Sequence, residues 1–206
     1  MKHTLLTLTA AAVLGLAAPS NAQAPAPAND QSRPATKVPA TSDAKLVKML
    51  GDVLVDSKGE KFETSKVLEG RRNVLLYFTA SWCGPCRRFT PDLVKFADQH
   101  KDAKDFVIIM VGSDRSAKAQ DDYMKKSKMP FYAIPYGAES VKTIKQAFAG
   151  RGIPNLVILD ADGKALKGSY EKNGRYTPED RNSYIGPQPV LASFKEMQKK
   201  AKTSKG

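Results

Sequence analysis

With 206 residues, 41% of them hydrophobic and 26% charged, the chain has a globular composition and enough apolar material for one core. Two cysteines exclude a disulfide-dense small scaffold and a four-cysteine structural zinc site, and no apolar run reaches the roughly 18 residues of a conventional transmembrane helix. The net charge of +12 is spread along the chain, and its dense clusters (Lys125-Lys126 with Lys128, and Lys199-Lys200 with Lys202 and Lys205) lack interleaved aromatics, so a solvated surface is expected and nucleic acid is not an expected partner.

In chain order, residues 1–22 read as a secretory signal. Lys2 supplies the positive start, Leu5 opens a short apolar stretch, and Ser20-Asn21-Ala22 places small residues where signal peptidase inspects them. Cleavage after Ala22 and export across the inner membrane are expected. Residues 23–43, with Pro25, Pro27, Pro34 and Pro39 among Ala, Ser, Thr and Gln, read as a disordered linker, because such a segment buries too little apolar surface to offset its ordering entropy. The folded domain is expected over residues 44–200, followed by a basic flexible tail at 201–206.

Within the domain, residues 52–55 suggest a short strand, with a turn at Ser57-Lys58-Gly59-Glu60. Residues 73–79 (NVLLYFT) and 106–111 (FVIIMV) are continuous apolar runs, as buried central strands require. Between them, residues 85–99 carry Phe89, Leu93, Phe96 and Ala97 along one helical face. Helices are expected at 117–126 and 139–148, and a strand at 155–160. The Asp162-Gly163 turn leads into a return strand at 165–167, and a closing helix at 190–200 presents Leu191, Phe194 and Met197. This order implies an α/β fold, a mixed central sheet covered by helices on both faces.

The chemistry sits in Trp82-Cys83-Gly84-Pro85-Cys86-Arg87, at the junction of the first apolar strand with the Phe89 helix. There Cys83 meets the free N–H groups and the macrodipole of a helix N-terminus, which favour a thiolate. Pro85 fits the first helical turn because its missing N–H has no intrahelical partner there. The i, i+3 spacing puts Cys86 on the same face, within disulfide reach. An exposed, partly ionised Cys83 is expected to attack a substrate disulfide, and a more buried Cys86 to resolve the mixed disulfide. Run backwards, the same pair oxidises dithiols. A purely structural disulfide is the alternative, although so small a loop removes little unfolded-state entropy. Haem attachment would need His where Arg87 stands. No metal or other cofactor is expected: His3 leaves with the signal, and His100 falls at a helix end where it suits the terminal carbonyls.

The pentapeptide resembles the active-site sequence of the thioredoxin superfamily. Pro91 resembles the proline within that family's active-site helix, and Gly152-Ile153-Pro154 resembles its loop with a cis-proline facing the cysteines. The resemblance implies a thioredoxin fold, a cis Ile153–Pro154 bond, and a substrate site of Trp82, Gly84, Pro85, Ile153 and Pro154, in which the Ile153 backbone pairs with an extended substrate. Phe78-Thr79-Ala80-Ser81-Trp82-Cys83, Arg87-Arg88-Phe89-Thr90-Pro91 and Tyr132-Ala133-Ile134-Pro135-Tyr136 are similar to the tryparedoxin and nucleoredoxin branch. Gly84 departs from it, since tryparedoxins usually have Pro there. The family's buried Asp before the first cysteine is replaced by Tyr77, which is expected to pack rather than catalyse. Gly-Pro between the cysteines and Ile before the cis-proline resemble reducing members. The implied activity is an exported, periplasmic protein-disulfide reductase, expected as a monomer. It would act on disulfide-containing proteins, cytochrome maturation factors included, with a membrane thiol transporter as electron donor. A disulfide donor or isomerase, or a binding module without turnover, are the alternatives.

Overall fold

An apolar run without polar alternation is satisfied only in a sheet that is covered on both faces. The computed structural model describes residues 41–203 and places the three apolar runs in such a sheet. The elements are α1 (Thr41–Leu50), β1 (Val53–Val55), β2 (Lys61–Glu63), α2 (Thr64–Leu68), β3 (Asn73–Thr79), α3 (Gly84–Gln99), β4 (Phe106–Gly112), α4 (Ala117–Lys126), β5 (Tyr132–Ala133), α5 (Glu139–Phe148), β6 (Asn155–Asp160), β7 (Ala165–Gly168), β8 (Glu171–Lys172), β9 (Arg175–Tyr176) and α6 (Pro187–Thr203). The expected signal (1–22), nearly all of the expected linker and the last residues of the expected tail lie outside the described residues.

Seven strands form one mixed sheet in the order β2-β1-β5-β4-β3-β6-β7. β3 is its centre, pairing parallel with β4 (Leu75 opposite Ile108) and antiparallel with β6 (Leu75 opposite Ile158). Side chains alternate across the pleat. Leu75 and Tyr77, with Ile108, Met110, Leu156 and Ile158, face one cluster with Phe89, Leu93 and Phe96 of α3 and Phe194 of α6. Val74, Leu76 and Phe78, with Ile109, Val157 and Leu159, face the other with Leu46 and Leu50 of α1, Leu68 of α2 and Ile144 of α5. The expected mixed sheet with helices on both faces is therefore present.

The β6–β7 hairpin turns where Asp162-Gly163 marks it. Gly163 takes φ +75°, and Asp160 Oδ1 accepts from the amides of Asp162 (3.0 Å) and Lys164 (2.8 Å). Several elements differ from the sequence expectation. α1 begins at Thr41, in what reads as the end of a linker, and α6 runs from Pro187 to Thr203, longer than the expected closing helix at both ends. α2, β2, β5, β8 and β9 span five residues or fewer. They are too short to establish a hydrophobic period and are held by their neighbours. Among the described residues, no helix is long and apolar enough to cross a membrane.

Phe194 ties α6 to the sheet. It is fully buried, with its ring 5.1 Å from Phe106 and 5.9 Å from Phe96. Phe194→Ala is expected to cost about 3–5 kcal/mol. Urea unfolding should show this as a lower midpoint with an unchanged m value.

Candidate active site

β3 ends at Thr79, and the chain turns at once: Cys83 N donates to Ala80 O (3.1 Å), and α3 starts at Gly84 with Pro85 in its first turn. Cys83 is the N-cap, and its Sγ accepts from the amide of Cys86 at 3.2 Å. The same two residues form a disulfide, with Cα atoms 5.2 Å apart. The helix start thus aims one of its otherwise unpartnered N–H groups at the Cys83 sulfur, where a thiolate would carry its charge once the bond opens.

The expected order of burial is present, but not the expected exposure. Cys83 is 5% exposed and Cys86 0%. In the disulfide form Cys83 is covered because it packs with Ala80, Cys86 and Ile153 in a small apolar cluster. It is still the only residue of the pair with any exposure.

The Ile153–Pro154 bond is cis, as the resemblance implies, and Ile153 O lies 3.7 Å from Cys83 Sγ. Two bonds tie the residues just before Cys83 to the segment that follows β4. Trp82 Nε1 donates to Ser113 O (2.9 Å), and Ser81 N donates to Asp114 Oδ1 (2.8 Å). Trp82 is 54% exposed, so it stands out at the surface rather than lying buried. Gly84 has room for a side chain, since a Cβ there would meet only Arg88 Nη1, at 3.8 Å. Arg87 and Arg88 are exposed. Asp114 is 8% exposed and its Oδ2 makes no hydrogen bond. Burial lowers the pKa of Lys145 in α5, and the charge of Asp114 opposes that shift. Sequence reasoning missed Ser113 and Asp114; their signal was a polar pair directly after a buried strand.

Behind Cys86 lies a chain of buried hydroxyls that sequence reasoning also missed. Thr90 Oγ1 donates to Cys86 O (2.9 Å) and meets Tyr77 Oη at 2.9 Å and Tyr123 Oη at 2.6 Å. Tyr77 Oη also reaches Cys86 O at 3.3 Å, and Thr79 Oγ1 lies 3.3 Å from Tyr123 Oη. One assignment uses every proton once: Thr79 to Tyr123, Tyr123 to Thr90, Thr90 to the Cys86 carbonyl, with Tyr77 donating alongside. Tyr77 does pack, edge-on to Phe89 at 5.6 Å, but its hydroxyl also secures the first turn of α3. Burial, with Tyr123 nearby, pushes its phenol well above the usual tyrosine range, so it keeps its proton. His100 caps the far end of α3, Nδ1 donating to Phe96 O at 2.9 Å.

Residues 70–165 match the family model described as thioredoxin-like. Tryparedoxin of Trypanosoma brucei brucei is 38% identical over 99 residues, 48% of this chain and 67% of that protein. The chain belongs to the thioredoxin-like family. Within the family it is also 39% identical over 116 residues to probable nucleoredoxin 1 of Arabidopsis thaliana, covering 56% of this chain and 19% of that protein. It therefore spans only a fraction of the longer relatives. Among solved structures, a thioredoxin from Wuchereria bancrofti aligns with TM-score 0.55 and 28% identity over 72% of this chain and 97% of its own. Tryparedoxin II from C. fasciculata aligns with TM-score 0.53 and 30% identity over 60% and 85%. The fold is the thioredoxin fold, and the chain is a thioredoxin-like redox protein with a Cys83–Cys86 disulfide.

The hydroxyl chain has a measurable ranking. Thr90→Val removes the hydroxyl that both buried phenols meet, leaving Tyr77 on the Cys86 carbonyl and Tyr123 on Thr79, and is expected to cost about 1–3 kcal/mol, whereas Tyr77→Phe leaves Thr90 on the Cys86 carbonyl and should cost about 1 kcal/mol. Chemical denaturation of both variants checks the order.

Proposed function

We propose that the chain is an exported thiol–disulfide oxidoreductase that reduces protein disulfides. One observation carries the reading: Cys83 caps the helix with its sulfur accepting the Cys86 amide and is the only residue of the pair with any exposure, while Cys86 is fully enclosed. In the reduced protein the Cys83 thiolate attacks one sulfur of a substrate disulfide. A mixed disulfide forms and the other substrate sulfur leaves as a thiolate. Cys86, deprotonated, then attacks Cys83 Sγ, the second substrate sulfur leaves, and the protein is left with the Cys83–Cys86 disulfide. A two-electron thiol donor must reopen it, and for an exported protein that donor would be a membrane thiol transporter. Trp82, Gly84, Pro85, Ile153 and Pro154 would form the floor for an extended substrate, a reading supported by the packing of Ile153 on Cys83.

Cys86→Ser should accumulate protein mixed disulfides through Cys83, and Cys83→Ser almost none, as read on non-reducing gels. Equal trapping by the two variants contradicts the assigned roles. The redox potential separates directions: near roughly −270 mV supports a reductant, near roughly −120 mV a disulfide donor. Insulin reduction at background level would leave only a docking module.

Export rests on the pattern of residues 1–22, a cation followed by a short apolar stretch and small residues before the expected cut. Removing these residues should retain the protein in the cytosol with its insulin-reducing activity intact. Continued export of the truncated chain, followed by cell fractionation, would refute it.

A further inference from the structure

The family match stops at residue 165. Beyond β7 the chain makes an excursion, residues 169–186, before α6 begins. The excursion is tied to itself: Thr177 N donates to Tyr170 O (2.9 Å), Ser183 Oγ to Thr177 O (3.0 Å), and Ile185 N to Ser169 O (2.8 Å). Tyr170 and Tyr184 face each other in an antiparallel bridge, with rings 5.0 Å apart.

Both phenols reach the loop that carries Ile153. Tyr184 Oη donates to Pro154 O at 2.8 Å, and Tyr170 Oη donates to Gly152 O at 3.3 Å. These are the carbonyls on either side of Ile153, whose own carbonyl lies 3.7 Å from Cys83 Sγ. The Tyr170 ring also closes the space over Gly150: a Cβ there would sit 2.4 Å from Tyr170 Cε2, and Gly150 holds φ +65°. Burial raises the pKa of both phenols, so they keep the protons they donate.

We propose that Tyr170 and Tyr184 are positioning residues that clamp loop 150–154 from outside and set how tightly an extended disulfide substrate is held beside Cys83. Gly150 and Gly152 would otherwise leave this loop with large conformational freedom, to be lost on each binding event. Two donors that stay in place without substrate remove that cost beforehand. Tyr184 is 43% exposed and Ile185 41%, so the clamp also lends the loop an apolar flank. The substrate half of the proposal rests on the reductase reading; the clamp itself does not.

The test compares the wild-type chain with Tyr184→Phe and with the double variant Tyr170→Phe/Tyr184→Phe, which keep both rings and lose only the hydroxyls. Backbone 15N relaxation should show the order parameters of Gly150, Gly152 and Ile153 falling from about 0.85 to below about 0.6 in the double variant. The KM for a disulfide-containing peptide should rise roughly threefold to tenfold in Tyr184→Phe, with kcat and the iodoacetamide alkylation rate of Cys83 within about twofold of wild type. Unchanged order parameters or an unchanged KM would overturn the proposal. So would a parallel fall in kcat and in Cys83 alkylation, which would mean that the tyrosines only hold the fold together. A wild-type chain with no reductase turnover would sink the reductase reading, and the relaxation measurement would still decide the clamp.

Discussion

The bond from the Cys86 amide to the Cys83 sulfur is made possible by a constraint outside the cysteines: β3 has to stop and α3 has to start within four residues of each other. A strand that ended later, or a helix that began later, would leave that amide inside a regular ladder with no sulfur to face. The tight junction is enforced from both directions. β3 is anchored in register between β4 and β6, and α3 is anchored by Phe89, Leu93 and Phe96 in the core. The sulfur chemistry is therefore a product of core packing, because the two large elements leave the short segment between them little freedom of placement.

The rest of the site follows as successive supports around that junction. Ser113 and Asp114, at the end of β4, take hold of Trp82 and Ser81. The Tyr77, Thr90 and Tyr123 hydroxyls secure the Cys86 carbonyl from beneath. The opposite bank is the Ile153 loop, itself braced by the excursion after β7. Each support comes from a different element, so the site is fixed by tertiary contacts even though its two sulfurs are neighbours in sequence.

This division explains what could be read from the sequence. Long apolar runs such as 73–79 and 155–160 announced themselves because burial on both faces leaves no polar alternation, and the Cys83/Cys86 pair was legible because helix-terminus physics and spacing act locally. The cis Ile153–Pro154 bond came only through resemblance. What escaped were contacts between residues far apart in the chain. Thr90 with Tyr123, Ser81 with Asp114 and Tyr184 with Pro154 carry no local pattern, and each of these residues alone reads as ordinary packing or surface. The cover over Cys83 is of the same kind: Ile153, which packs on it, comes from the loop before the neighbouring strand β6, 70 residues further along the chain.

Tyr77 occupies the place where the wider family keeps a carboxylate, and it holds on to its proton. The group that Tyr77 sets beneath the buried sulfur therefore stays uncharged from acid to mildly alkaline solution. A proton leaving Cys86 therefore meets no carboxylate at this position, only a neutral hydroxyl that already donates to the Cys86 carbonyl.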